Sequence, residues 1–291
     1  MKTFLTLVCF LAVLESVRAQ PFSGRPPTTV RFTSSYTGEG AMSQGTRSLG
    51  DFDQRYYETT IRTPIARTGR LDWTGGLRWR RFDFDAPAAA PIPDSLQAVS
   101  LDLNVGTTIG KRWRLDGTFY PGIYSDFEDL QSEDFNTPGL IRIVYSQSGD
   151  LQWLLGLRID PENDLPIVGG PGVRWRFADR WTLNFFFPSP NLTFKASEDL
   201  SFSLGADWLG GSFRVNDAFG SRFGRPELDG ENVTVREIRA VASARYRLNE
   251  TWRLSASAGY ALHRRIAFED SNLQLGAEAA PFFQLGVSAR F

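Results

Sequence analysis

The sequence predicts an all-β protein, a transmembrane antiparallel up-and-down β-barrel of about fourteen strands, with about twelve as the next candidate count. Three observations lead to this fold class. Apolar and polar residues alternate with a period of two along most of the chain. Tight polar turns recur, and each is followed by another alternating run. The chain also ends in an alternating segment whose last residue, Phe291, is aromatic.

The composition excludes several other classes of protein. Lys and Arg number 32 against 33 Asp and Glu, so the basic excess typical of nucleic-acid-binding proteins is missing. The mean hydropathy is -0.25, and no run approaches the ~20 apolar residues that a membrane-spanning helix needs. A single Cys and a single His supply neither a zinc finger nor a disulfide scaffold. We therefore predict no cofactor and no metal site.

Residues 1–19 have the layout of a secretory signal peptide. Lys2 supplies the positive start, an apolar run follows at 4–14, and Ala19 stands just before the expected cleavage site. This apolar run is too short to span a bilayer. The only cysteine, Cys9, leaves with the signal peptide, so the exported chain has no thiol that could form a disulfide.

The remaining chain divides into a short periplasmic lead at 20–29 and the barrel at 30–291. A first strand is expected at 30–37 and a last strand at 282–291. Between them, six hairpins contribute the other strands. Each hairpin has a tight polar turn, and the turns lie at Arg70, Lys111, Asp150, Asp179, Glu198 and Glu250. The hairpins are joined by longer connections rich in Gly, Asp, Pro and Ser at about 38–51, 83–95, 124–138, 161–170, 210–231 and 269–280, and by one short connection at 188–190.

Alternation alone leaves two architectures open, a membrane barrel with its apolar face outward and a secreted β-sandwich with that face inward. The regular exchange of short and long connections favours the barrel, because the two ends of a barrel lie in different compartments. The terminal Phe291 matches the assembly signal by which insertion machinery reads outer-membrane barrels. Aromatic residues where tight turns meet strands are expected to form a girdle at one membrane interface: Trp73, Trp113, Trp181 and Trp252.

If the apolar face meets outer-membrane lipid, the opposite face lines the lumen. A mid-membrane Arg that faced lipid would cost roughly 2–4 kcal/mol, so the charged residues of the strands belong inside. The predicted lumen-lining residues are Asp72, Arg78, Arg80, Asp102, Arg114, Asp116, Arg142, Arg158, Asp160, Arg174, Arg176, Asp207, Glu237, Arg239, Arg245, Arg247 and Arg253.

Two segments in the C-terminal half resemble a known family. Residues 187–194 read Phe-Pro-Ser-Pro-Asn-Leu-Thr-Phe, and residues 208–215 read Trp-Leu-Gly-Gly-Ser-Phe-Arg-Val. In these segments the chain is similar to a bacterial outer-membrane β-barrel family that is classified only as a domain of unknown function. The resemblance implies the fold and the outer-membrane location, and it implies no catalytic residues.

Two functional hypotheses are open for such a barrel. Barrels of about 8 strands are filled by side chains and those of 16–18 strands hold water channels, so a fourteen-stranded barrel fits a narrow passive channel for small solutes. The predicted lumen holds eleven Arg against six acidic residues, which indicates a weak preference for anions. Alternatively, these charges pair into a network that plugs the barrel and leaves it a structural role.

An outer-membrane lipid hydrolase is a less favoured alternative. Such enzymes use a Ser–His pair, and the only imidazole in this chain belongs to His263. Its strand parity predicts that it lies on the lumen side near the external end, next to Arg264 and Arg265, and no His-x-Ser spacing accompanies it. We therefore predict no enzymatic activity. The expected partners are outer-membrane lipid and the insertion machinery, and nucleic acid is not among them.

Overall fold

The computed structural model describes residues 27–291, which form one closed β-sheet with three short 3-10 helices and, within this range, no α-helix. No helix in this part of the chain is long and apolar enough to cross a membrane. The predicted signal peptide lies outside the described residues. The strand segments are β1 Thr29–Gln44, β2 Arg47–Thr68, β3 Leu71–Asp85, β4 Ser95–Ile109, β5 Trp113–Phe119, β6 Gly122–Ser125, β7 Phe135–Asn136, β8 Gly139–Ser146, β9 Leu151–Ile159, β10 Ile167–Ala178, β11 Trp181–Phe185, β12 Asn191–Lys195, β13 Leu200–Arg214, β14 Asn232–Arg247, β15 Trp252–Phe268, β16 Gln274–Ala277 and β17 Ala280–Arg290.

These seventeen segments make a wall of 14 strands, as predicted. Segments β5 and β6 both pair with β4 and act as one strand. Segments β7 and β8 continue one another opposite β6 and β5. Segments β16 and β17 both lie between β15 and β1. Pairing of β1 with both β2 and β17 closes the barrel, which removes the unpaired edges that would promote aggregation.

The six predicted tight turns all lie at one end of the barrel. They join β2 to β3, β4 to β5, β8 to β9, β10 to β11, β12 to β13 and β14 to β15. The long connections lie at the opposite end, and the longest covers 215–231 between β13 and β14. Short periplasmic turns and long external loops are the arrangement of outer-membrane barrels. We therefore call the end with the tight turns periplasmic and the other end external.

The predicted loop at 38–51 is wrong. Strand β1 continues to Gln44 and β2 starts at Arg47, so only a two-residue turn with Gly45 at a φ of 59° separates them. This segment is rich in Gly and polar residues because it extends beyond the apolar belt on the external side. Bulges, including one between Thr37 and Gly40, interrupt its alternation and hide the strand from a period-two pattern.

The barrel is tall on one side and short on the other. Strand β2 has 22 residues, whereas β11 and β12 have 5 each. Beyond the short strands, the external end of β13 pairs in parallel with β6 at Arg214 and Ser125. This contact bypasses strands β8 to β12, so fewer strands surround the lumen at the external end than at the periplasmic end.

The apolar face of the wall points outward. Side chains such as Leu77, Phe185 and Leu204 are 56%, 60% and 67% exposed, whereas inward-facing Asp102 and Asp116 are nearly inaccessible. A single closed sheet with this orientation contradicts the β-sandwich, whose apolar residues would be buried between two sheets. The exposed apolar belt needs a hydrocarbon environment, so the protein is a membrane barrel of the outer-membrane type.

The predicted lumen position of His263 is wrong. The ladder between β14 and β15 pairs Arg239 with Ala261 but Ile238 with His263, so Leu262 is an extra residue in a bulge. A bulge reverses the facing of every residue beyond it. His263 therefore shares the outer face with Ile238 and is exposed, and the neighbouring Arg264 turns inward.

Candidate functional site

The lumen is the candidate functional site, and one part of its wall is a series of ion pairs. Asp102 accepts hydrogen bonds from Arg62 across 2.7 Å, and Asp116 accepts from Arg114 at 2.7 Å and from Arg142 at 3.4 Å. These carboxylates are almost completely buried. The opposite charges and hydrogen bonds make burial of the carboxylates tolerable, while the arginine partners stay partly exposed.

A second group of paired charges follows on the neighbouring strands. Arg78 donates to Glu58 at 2.8 Å, and the Tyr56 hydroxyl donates to the same carboxylate at 2.5 Å. Arg158 donates to Asp160 at 2.7 Å, and Asp160 directly follows the external end of β9. Most of the lumen charge on this side is therefore neutralised by partners within the protein.

The centre of the lumen contains a cluster that we call the neck: Thr37, Gln54, Glu237, Arg239 and Arg264. Glu237 accepts hydrogen bonds from the side chains of Gln54 and Arg239, and from Thr37 at 3.2 Å. Arg264 Nε lies 3.8 Å from the same carboxylate. Glu237 stands on β14 and Gln54 on β2, with three barrel strands between them around the wall. Their contact therefore crosses the lumen.

A second bridge crosses the lumen from β3 to β13. Arg80 Nη1 donates to the carbonyl oxygen of Gly210 across 3.1 Å. The guanidinium also lies 5.7 Å from the ring centre of Tyr124 and 5.8 Å from that of Phe213. Buried cation–π contacts of this kind hold a guanidinium without a carboxylate partner.

The external end of the lumen is filled by packed apolar side chains, which we call the apolar cap. Phe82 and Phe213 meet edge to face at 5.9 Å, and Phe219 stacks on Phe268 at 5.8 Å. Phe219 comes from the β13–β14 connection and not from the wall. The cap residues that are at most 2% exposed include Met42, Phe52, Phe82, Leu96, Phe213, Phe219, Leu228, Val233 and Phe268. Such packing closes the external end in this state.

A cavity of about 720 Å³ lies on the periplasmic side of the neck, and we call it the periplasmic cavity. Its lining includes the β12–β13 turn and the periplasmic ends of β1, β14, β15 and β17. Hydroxyl groups and arginines dominate it, for example Ser243, Ser257, Arg245 and Arg253. The size falls within the ~300–1,000 Å³ typical of sites for small molecules.

The ladder register puts the strand members of the predicted lumen set on one face of the sheet. Those near the neck are buried, whereas Asp72, Arg174 and Arg176 near the periplasmic mouth are exposed. At this mouth Arg176 pairs with Asp150, and Arg247 donates to Asp199 at 2.7 Å. Further pairs in the mouth and wall are made by Asp72 with Arg67 and by Asp207 with Ser189.

Sequence reasoning missed several lumen residues. Glu58 and Arg62 lie on β2, where the alternating run Gln54, Tyr56, Glu58, Thr60, Arg62 carried a signal that could have identified them. Arg264 was hidden by the bulge at Leu262. No signal in the sequence marks the apolar cap, because inward-facing aromatic residues there break the polar-inside pattern.

The four predicted girdle tryptophans all lie at the periplasmic ends of strands, and Trp73, Trp113 and Trp181 are exposed. Further aromatic side chains extend the row, including Tyr145 against Trp113 and Phe194 against Trp181, both at 4.8 Å between ring centres. At the end of the last strand, the Phe291 backbone N–H donates to the carbonyl of Thr28 across 2.9 Å. The interfacial girdle and the terminal assembly signal stay predictions.

Solved structures of outer-membrane barrels share this fold. A mutant of the TodX monoaromatic hydrocarbon channel, a Pseudomonas putida protein, aligns with a TM-score of 0.50 and 7% identity over 93% of this chain and 91% of that chain. The COG4313 outer membrane channel from Pseudomonas putida F1 aligns with a TM-score of 0.47 and 11% identity over 94% and 100%. The toluene transporter TbuX from Ralstonia pickettii gives 0.42 and 7% over 92% and 90%. With 7% identity, the TodX alignment indicates a shared fold only, and no conclusion rests on the two alignments with lower TM-scores.

No curated protein matches the chain in sequence. A family described as a domain of unknown function, DUF6268, matches residues 32–291, which is nearly the whole barrel. The fold, the outward apolar belt and this match agree with one another. The chain is a bacterial outer-membrane β-barrel and belongs to the DUF6268 family.

Proposed function

We propose that the protein is a narrow passive channel for small solutes, with a weak preference for anions. The observation that carries this proposal is the periplasmic cavity of about 720 Å³ inside a closed wall. A barrel with a purely structural role can be filled by its own side chains, as barrels of about 8 strands are. A wider barrel that keeps a large polar cavity is suited to holding solutes.

The preference for anions rests on fewer residues than the sequence predicts, because most lumen arginines are paired. The charges that line the periplasmic cavity are four arginines against three carboxylates, Arg31, Arg245, Arg247 and Arg253 against Glu198, Asp199 and Asp207. The difference of one positive charge supports a weak preference. In this proposal the neck and the apolar cap are the closed part of the path, and passage requires their displacement.

A structural barrel without transport is the second candidate. The side chains that cross the lumen at the neck and the tightly packed apolar cap favour it. Both proposals predict a stable closed state, and they differ in whether that state opens.

Single-channel recording in planar bilayers tests the proposal. The wild-type protein is expected to show brief conductance steps, and a salt gradient should give a reversal potential that favours anions. Replacing buried Phe219 and Leu228 by Ser should make openings longer and more frequent. The matched control replaces Leu130 and Leu165, which are exposed in other external loops, by Ser. If neither the wild-type protein nor the cap variant conducts, the channel proposal is wrong and the structural barrel is favoured.

A further inference from the structure

Three arginines in the periplasmic cavity differ from most of the other inward-facing arginines of the barrel. Arg31, Arg245 and Arg253 all line this cavity. Within the described residues, none of the three has a carboxylate oxygen within 4 Å, whereas most of the arginines above them are paired. Their charge is therefore available to a solute.

The ladder register places these three side chains next to one another. Ser288 pairs with Arg31 on one side and with Arg253 on the other, so the two arginines stand two strand spacings, ~10 Å, apart. Arg245 pairs with Ser255, two residues along from Arg253, which makes the two arginines diagonal neighbours on one face. The three arginines thus share the lumen face with Ser288 and Ser255, which are their direct ladder partners.

Two of the three carboxylates of the same cavity are engaged elsewhere, and the third, Glu198, is outnumbered by the three arginines. Asp199 accepts from Arg247 at 2.7 Å, and Asp207 accepts from the Ser189 hydroxyl at 2.5 Å. Like charges that share a half-enclosed space repel one another, and an anion relieves this repulsion. Guanidinium groups present paired donors that match the geometry of phosphate, sulfate and carboxylate oxygens, and serine hydroxyls add further donors.

We propose that Arg31, Arg245 and Arg253 form a binding site for a small oxyanion, a phosphate, sulfate or carboxylate group on a solute in the periplasmic cavity. The site deepens the proposed function and rests on it for its role, since it would concentrate anions at the periplasmic end of the path. The oxyanion accepts hydrogen bonds from the three guanidinium groups and from Ser288.

Isothermal titration of the purified full barrel in non-ionic detergent tests the site. The probes are inorganic phosphate, sulfate and glucose 6-phosphate, with uncharged glucose as the negative probe. Saturable binding is expected for the three anions, and it should weaken as the salt concentration rises. Stronger binding of glucose 6-phosphate than of inorganic phosphate would identify a phosphorylated solute as the better ligand, and the reverse would identify the free ion; either result supports the site.

Substitutions then locate the binding. The double variant R245Q/R253Q should lower the affinity at least 10-fold, while R180Q should leave it unchanged, because Arg180 is exposed in the periplasmic β10–β11 turn and does not line the cavity. If the double variant fails to assemble, R31Q measured alone should lower the affinity at least 3-fold. Absence of saturable binding to the wild-type barrel would overturn the proposal, as would equal weakening by R180Q and by the cavity variants.

The binding-site proposal and the channel proposal can be refuted independently of each other. Saturable anion binding without any conductance step would keep the site and refute the channel. Conductance without saturable binding would keep the channel and refute the site.

Discussion

Removing the negative charge of the neck is expected to destabilise the barrel strongly. Glu237 is 1% exposed and, among residues 27–291, is the only carboxylate within 4 Å of the buried Arg239 and Arg264. The substitution Glu237→Gln leaves two guanidinium groups buried without a counter-charge. Breaking a buried ion pair from one side costs about 3–5 kcal/mol, and nearly complete burial means that solvent screening does not reduce this figure. We expect the unfolding free energy to fall by about that amount.

Urea unfolding of the barrel in phospholipid vesicles, followed by tryptophan fluorescence, measures the change. A double-mutant cycle with Arg239→Met separates the pair energy from the packing of the arginine stem, and an interaction energy of about 0.5–3 kcal/mol is expected. The control is Glu250→Gln, because Glu250 is exposed in the β14–β15 turn and its replacement should cost less than about 0.5 kcal/mol. A cost for Glu237→Gln no larger than that of the control would refute the role of the neck.

Three further predictions concern assembly, packing and pH. Deleting Phe291 should impair barrel assembly without affecting export, so that the heat-sensitive fast-migrating form is lost on unheated gels; normal insertion would contradict the assigned signal. Gly259→Ala should lower the unfolding free energy by about 1–3 kcal/mol, because the new Cβ would lie 1.9 Å from the Ala240 carbonyl oxygen, whereas Gly276→Ala meets nothing within 4 Å and is the control. Burial raises the pKa of Glu269 in the external β15–β16 connection above its usual 4.5. The folded state therefore binds the carboxyl proton more tightly than the unfolded state does, and the unfolding free energy should rise as the pH falls from 7 towards 4.5. This rise should be smaller in Glu269→Gln.

Much of the fold could be predicted because its determinants are local. The six periplasmic turns each consist of a few polar residues between alternating runs, and both signals lie within about ten residues of sequence. Charges such as Arg142 and Asp116 could be assigned to one face from parity alone, since every second residue of a strand points the same way. This assignment from alternation fails where a bulge inserts one residue into a strand. The bulge at Leu262 is the reason that His263 faces outward and Arg264 faces the lumen.

The candidate site could be predicted only in part. The sequence shows which charges share a face, but not which of them meet, and pairing decides the charge that a solute would encounter. Arg62 and Asp102 are 40 residues apart, yet their ion pair neutralises one of the predicted lumen acids. The arginines of the periplasmic cavity that have no carboxylate partner include Arg31, which the sequence pattern did not single out.

The amino-acid sequence by itself determined the strand period, the turns, the outward apolar face and the aromatic ends of the strands. These features follow from side-chain alternation, from the short and long connections between strands, and from the aromatic residues beside the turns, all of which are visible in short stretches of sequence. Only the tertiary structure decided that the lumen is closed at the external end and open at the periplasmic end. The contacts responsible, such as Thr37 with Glu237, join residues 200 positions apart. They exist because barrel closure and the register of fourteen strands bring opposite walls within reach of one side chain.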